Sequence, residues 1–337
     1  MHRGLRTSTR ADVRIREATE ADDPRLLEIA NALFPDFSET LEELRHGRAR
    51  HRTQGYTDVV IVAEEAHDAI VGYGHFHHMI GQFNPGRYRV GIYVDRSWQR
   101  RGVGGTLFDH ALADLTARGA RALESFARET SAEVVGFLAR RGFRETLRTW
   151  ELRLNLATFD PKPFADYEDQ LRSSEVVITT LAEEYARDPE ALRRAYTLRE
   201  AVWAEVPAPI PHTPVPFEDF VHGNFKSPRG LPDAYFLAKA GDAYIGEATL
   251  QRPQKGTHLV HNVTGVLAPW RMKGIAMALK LATITYGRAH GFSEIRTWND
   301  VRNAGMLAIN DRLGFVREPA WITFERDLAP ARLEDHV

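Results

Sequence analysis

The sequence predicts a mixed α/β fold built twice in tandem. Three observations carry this. Short β-branched segments alternate with amphipathic helical segments along most of the 337 residues, a length that suits two cores. One pattern of strand, four-residue turn, glycine loop and helix occurs twice: Val90-Gly91-Ile92-Tyr93-Val94 leads to Gln99-Arg100-Arg101-Gly102-Val103-Gly104-Gly105, and Asn262-Val263-Thr264-Gly265-Val266 leads to Arg271-Met272-Lys273-Gly274-Ile275-Ala276. The register is constant: Gly274 follows Gly102 by 172 positions, and Gly314 follows Gly142 by 172.

The elements follow in order. Residues 13–18 alternate as a strand. Thr19, with Asp22 three positions on, is placed to cap a helix carrying Leu26, Leu27, Ile29, Ala30 and Leu33, which Pro35 ends. A second helix spans 40–52. Residues 59–63 and 70–78 read as a hairpin. After the first glycine loop, Leu107, Phe108, Ala111, Leu112 and Leu115 recur at helical spacing. A strand at 122–126, a helix at 132–141 and a closing hairpin from Gly142-Phe143 to about Leu156 complete the first half. Residues 157–174, with Pro161 and Pro163, read as a linker. The second half repeats the order: a strand at 176–180, helices at 190–202 and 217–224, a hairpin at 234–239 and 243–251, the second loop, a strand at 294–298, a helix at 304–313, and Gly314-Phe315 with a closing hairpin through Asp327. Between those two helices, residues 207–216 hold five prolines and are expected to be extended, as a wall beside a substrate. The expected domains are 13–156 and 175–330, with tails at 1–12 and 331–337.

Composition narrows the function. Lys+Arg 44 against Asp+Glu 46 gives a net charge of −2, so bulk electrostatics point to neither nucleic acid nor membrane. With no Cys there is no disulfide, thiolate metal site or thiol nucleophile, which fits a cytoplasmic protein. The first ten residues are basic without an apolar core, unlike a secretory signal.

A glycine loop that opens a helix has a physical task. The first turn leaves backbone N–H groups without partners, the macrodipole adds positive charge, and small residues admit an anion. Arg100, Arg101, Arg271 and Lys273 add attraction. Gln99-x-x-Gly102-x-Gly104 and Arg271-x-x-Gly274-x-Ala276 resemble the Gln/Arg-x-x-Gly-x-Gly/Ala signature of the GNAT superfamily of N-acetyltransferases. The Gly-Phe pairs at 142–143 and 314–315 resemble a further hallmark of it, so the resemblance covers nearly the whole chain as two GNAT-like domains. It implies that each loop grips the pyrophosphate of acetyl-CoA through residues 99–105 and 271–276. It also implies that the fourth strands, Ile92-Tyr93-Val94 and Thr264-Gly265-Val266, pair with the pantetheine arm. The implied reaction is direct attack of an amine, of a small molecule or peptide, on the thioester.

The resemblance also fixes two helix slots, an Asn that contacts CoA and a Tyr seven residues later that protonates the thiolate. The second half has Asn303 and Asn310 there; the first has Ser131 and Leu138. Neither half keeps the Tyr, and an amide such as Asn310 is a poor acid. Base candidates are His75 and His77, which share a strand face, with Tyr93 and Glu124 in the first half, and Glu247, His261 and Asp300 in the second. No acidic partner for the His75-Phe76-His77-His78 cluster is evident, and no metal is assigned. Asn303 and the regular apolar stripe Met306, Ile309, Leu313 favour the second half as catalytic, whereas Arg140-Arg141 interrupt the stripe in the first. The alternative is a non-catalytic acyl-CoA-binding or sensing protein. A dinucleotide oxidoreductase fits poorly, because Leu107 stands where its third glycine belongs. The chain is expected to act as a monomer with pseudo-dimeric domains or as a homodimer.

Overall fold

The computed structural model describes residues 11–53, 55–167, 175–206 and 210–328. The first half runs β1 (Arg14–Glu17), α1 (Asp23–Leu33), α2 (Leu41–Thr53), β2 (Asp58–Glu64), β3 (Ile70–His77), β4 (Arg87–Val94), α3 (Val103–Ala117), β5 (Ala122–Arg128), α4 (Ala132–Ala139) and β6 (Arg144–Asn155). The second runs β7 (Val176–Thr180), α5 (Leu181–Arg187), α6 (Ala191–Ala204), α7 (Phe217–Asn224), β8 (Gly230–Ala240), β9 (Ala243–Gln251), β10 (His258–Val266), α8 (Ile275–Ala289), β11 (Glu294–Asp300), α9 (Ala304–Arg312), β12 (Val316–Arg317) and β13 (Trp321–Asp327). From β4 to α4 and from β10 to α9 the strand ends and helix starts keep the 172-residue offset.

All strands join one sheet in the order β1-β2-β3-β4-β5-β13-β6-β11-β10-β9-β8-β7, with β12 beside β6. This corrects both expected closing hairpins. β13, from the end of the chain, inserts between β5 and β6 of the first half, pairing Trp321 with Arg128 and Thr149. The later part of β6 leaves the first half and pairs with β11, from Asp300↔Thr149 to Glu294↔Asn155. The halves thus exchange their last strands. The cores agree: Leu152, Leu154 and Leu156 pack with the second half, and Ile322 and Phe324 with the first.

Two local starts differ from expectation. Asp22, not Thr19, is the N-cap of α1, and its carboxylate instead accepts from the Thr19 amide at 2.7 Å. α5 was not expected. Its signal is a capping box, in which Thr180 and Glu183 each accept from the other's backbone amide at 3.2 Å. Of the proline-rich stretch, residues 207–209 lie outside the described residues. The remainder is irregular and leans on the first half, where Thr213 N donates to Gly81 O at 2.8 Å. Of the expected linker, 157–167 is mostly exposed but anchored by Phe164, buried in the second core with Phe159 and Tyr167 beside it, and 168–174 lies outside the described residues. Of the expected tails, 1–10 and 331–337 also lie outside them, while Ala11 N donates to Arg101 O at 2.8 Å. Among the described residues no helix is long and apolar enough to cross a membrane.

Candidate active site

Both β-to-α corners adopt one backbone. Gly102 (φ 88°) and Gly274 (φ 79°) are left-handed N-caps of α3 and α8. Two residues earlier Arg100 (φ 63°) and Met272 (φ 62°) are left-handed as well, a conformation that strains a side chain and marks a shape held in both halves. Neither cap supplies a side-chain acceptor. The first intrahelical bonds are Thr106 N to Gly102 O and Ala278 N to Gly274 O, both 3.1 Å. The amides of Val103, Gly104 and Gly105, and of Ile275, Ala276 and Met277, therefore lack intrahelical partners. The signature residues at the head of each loop do not reach outward. Gln99 Nε2 donates to Val94 O and Arg271 Nε to Val266 O, each at 3.0 Å, tying loop to strand. Arg101 stacks on Trp98 and Lys273 on Trp270, while the Val103 and Ile275 side chains sit in the two cores.

Strands splay beside each cup. β4 pairs with β5 only from Arg87↔Ala122 to Arg89↔Glu124, and β10 with β11 only from His258↔Glu294 to Val260↔Arg296. Past these pairs the backbone edges part, leaving room for an extended arm.

The halves differ in what fills that room. In the first, a cavity of about 1190 Å³ runs from Gln99, Arg100, Gly102, Gly104 and Gly105, past Gly91, Ile92, Tyr93 and Val94, to Asp58, His75 and His77. Arg140 and Arg141, which the sequence reading counted against this half, line it beside the cup. Arg141 stacks 3.6 Å over Phe137, and burial pushes its guanidinium down from its ordinary value. In the second half three groups close in. Val202 of α6 lies against Gly265, where an added β-carbon would stand 3.0 Å from Val202 Cγ2. Glu205 pairs with Arg271. The Tyr167 ring stands 3.7 Å from where a Gly274 β-carbon would project. Thr264 Oγ1 bonds His261, and Asn303 caps α9 by accepting from Met306 N at 3.2 Å. Met272 stays exposed and Val266 is buried.

Of the sequence-derived candidates of the second half, three are buried and the fourth, Asp300, is half-buried in an ion pair. Glu247 is fully buried, accepts from Arg199 Nε at 2.8 Å and from the Tyr235 hydroxyl. His261 lies in the interior at 2.6 Å from Thr264 Oγ1, and burial with nearby Lys280 holds it well below the ordinary imidazole range. Asn310 is fully buried and donates to Asn299 Oδ1 at 2.6 Å. Asp300 is paired with Arg302 at 2.5 Å. In the first half Glu124 is taken by Arg87 and Arg89. Tyr93 does line the cavity. Its ring stacks on Tyr73 at 4.5 Å, and burial raises its phenol.

The site residue that sequence reasoning missed is Asp58. The expected strand began one residue later, at 59. In the structure Asp58 pairs with His77 across β2 and β3, and its carboxylate takes a 2.6 Å hydrogen bond from His75 Nε2. Burial works against the charged carboxylate, but the bond to His75 and the surrounding imidazoles outweigh it and hold Asp58 below its usual range. A carboxylate accepts only, so Nε2 carries a proton, and in the neutral imidazole the lone pair is on Nδ1. Gly91 stands opposite His75 on β4 and puts no side chain over it. His77, stacked on His75 at 4.4 Å, is driven down to about 2, chiefly by burial, with the neighbouring His75 and Arg89 adding to it. Two further cavity residues were missed because they come from the other half. Trp298 and Trp321 pack on Phe37 with ring centroids 6.1 and 5.7 Å away, and strand exchange alone brings Trp321 there.

Paired α/β units with splayed strands beside an amide cup are the architecture of the GNAT fold. Residues 24–143 match the family model described as Acetyltransferase (GNAT) family. The GCN5-related N-acetyltransferase from Sphaerobacter thermophilus is similar at 18% identity, with 97% of this chain and 98% of that one covered and a TM-score of 0.67. The tandem GNAT protein from the clavulanic acid biosynthesis pathway, solved without acetyl-CoA, is similar at 16% identity over 95% and 100%, with a TM-score of 0.70. The glucosamine N-acetyltransferase region in a fungal multi-domain GH3 β-N-acetylglucosaminidase is similar at 13% identity over 94% of this chain and 38% of that one, with a TM-score of 0.70. No curated protein matches the sequence. A GNAT acetyltransferase domain is thus matched over residues 24–143, and the chain as a whole shares its fold with GNAT structures, one of them a tandem GNAT protein.

Proposed function

We propose that the protein moves an acetyl group from acetyl-CoA to an amine of a small molecule or peptide, and that the first half does the chemistry. The observation that carries this is the continuous cavity from the Gly102–Gly105 amides to the Asp58–His75 pair. The residues present fit the ligand. Uncapped amides, the helix dipole, Arg100, Arg140 and Arg141 would hold the phosphates, and the free edge of Ile92, Tyr93 and Val94 would hold the pantetheine arm. Acetyl-CoA supplies an activated thioester when bound. Asp58 fixes the His75 tautomer, and His75 Nδ1 takes the proton that the amine loses as its nitrogen bonds the acetyl carbon. The carbon–sulfur bond breaks, and the leaving sulfur takes a proton from the Tyr93 hydroxyl or from water. The second half then serves as a partner that builds part of the cavity wall through Trp298 and Trp321.

The test is release of CoA with a panel of amines, read beside acetyl-CoA binding by calorimetry. Turnover that His75→Ala removes supports the reading. Binding without turnover on any amine supports the sensing alternative, which the Leu138 and Asn310 substitutions at the Tyr slots favour.

A further inference from the structure

The far end of the cavity holds more than a base. One nitrogen of His75, one of His77 and one carboxylate oxygen of Asp58 all lie within 4.8 Å of one another. The sheet register produces this cluster. Asp58 and His77 are directly paired across β2 and β3, and His75 lies two residues from His77, so all three project from one face. All three also line the cavity, so the cluster opens onto a space that an ion and its water can enter.

Two features indicate an ion beyond ordinary hydrogen bonding. His77 Nδ1 is buried and makes no hydrogen bond among the described residues. A buried nitrogen left unpaired is unfavourable, and a coordinate bond would satisfy it. The competing positive charge is also handled. Arg89, opposite His77 on β4, is turned to Glu124 through Nε at 3.1 Å and Nη2 at 2.6 Å, and its guanidinium lies over Phe126. His51 stands edge-on to His77 with centroids 5.1 Å apart, within the same cavity wall.

We propose that Asp58, His75 and His77 form a binding site for a divalent transition-metal ion of zinc-like softness. Two imidazoles and one carboxylate suit such an ion and not magnesium or calcium, which prefer oxygen alone. Three protein ligands leave one position open toward the cavity, for water or an acceptor atom. Coordination by His75 takes up the imidazole lone pair that would otherwise accept the amine proton. Metal occupancy and the base role of His75 are therefore mutually exclusive, and zinc acts as an inhibitor of the transfer. The site itself stands on geometry and does not require the transfer reading.

The test titrates the full chain with zinc chloride by calorimetry, with magnesium chloride in parallel, and follows cobalt(II) binding by visible absorption. One zinc per chain is expected, with no magnesium heat and a cobalt band of tetrahedral intensity. His77→Ala and Asp58→Asn each weaken zinc by about tenfold or more, while acetyl-CoA binding, measured on the same samples, stays unchanged and reports that the fold survives. Should His77→Ala fail to fold, His77→Gln takes its place. Absence of zinc heat at millimolar metal, or zinc binding that survives both substitutions, overturns the proposal. Neither result depends on turnover, so the site and the transferase reading fail separately.

Discussion

Val202 presses on Gly265, the residue whose counterpart in the first half, 172 positions earlier, is Tyr93. One strand position is thus walled by a helix in one half and lined by a cavity in the other. Gly265 is a glycine because a β-carbon would collide with Val202. Both cups keep one backbone, while the packing beside the neighbouring strand differs between the halves.

His75→Ala should lower kcat by about 10²- to 10³-fold, the scale of a lost general base, with acetyl-CoA affinity unchanged. Asp58→Asn should give a smaller loss, because the imidazole stays but its tautomer is no longer fixed. Steady-state kinetics beside calorimetry check this. Loss of acetyl-CoA binding in step with kcat would point to a collapsed cavity.

Glu247→Ala should destabilise the chain by about 3–5 kcal/mol, because Arg199 is left charged and unpaired in the interior. Transfer by the remaining folded protein should be unaffected. Denaturant titration measures the first part. A stable Glu247→Ala protein with no activity would return Glu247 to the catalytic list.

Lys280 gives a pH-dependent expectation. It is buried over Phe315 with the nitrogen 5.0 Å from the ring centroid, and burial lowers it to about 7. Its folded value lies below its unfolded one, so the unfolded chain binds the extra proton between about pH 7 and the ordinary lysine range. Its penalty is full below about pH 7 and fades as pH rises through that window. Lys280→Met should therefore raise stability by a few kcal/mol at pH 6, and by clearly less at pH 9. Thermal unfolding at the two pH values checks this; a gain independent of pH would contradict it.

Strand exchange makes each half depend on the other. Leu152, Leu154, Leu156, Ile322 and Phe324 are buried across the exchange, and at roughly 1.5–3 kcal/mol each they contribute on the order of 10 kcal/mol before entropy. Segments 11–167 and 175–337 made separately should not fold. Made together, they should copurify. Size exclusion and circular dichroism decide, and two independently folding monomers would contradict the exchange.

The cups were legible because their chemistry is local: glycines at 102 and 274, a helix period after each, and a fixed spacing. The exchanged strands were not. A hairpin pattern such as 142–156 states that a strand follows, not which strand it joins. Asp58 was missed by a one-residue boundary, although its place opposite His77 follows from the register once the hairpin is drawn. The lean toward the second half rested on Asn303 and an apolar stripe. Nothing local to that half reveals that Val202 packs on Gly265 or that Glu205 pairs with Arg271, contacts made from 63 and 66 residues away.

The most direct measurement is the number of acetyl-CoA molecules each chain binds, by calorimetry on wild type, Gly102→Glu and Gly274→Glu. The expected result is one per chain, lost when bulk and negative charge enter the first cup and kept when they enter the second. Two per chain, or loss only with Gly274→Glu, would contradict a single working cup in the first half.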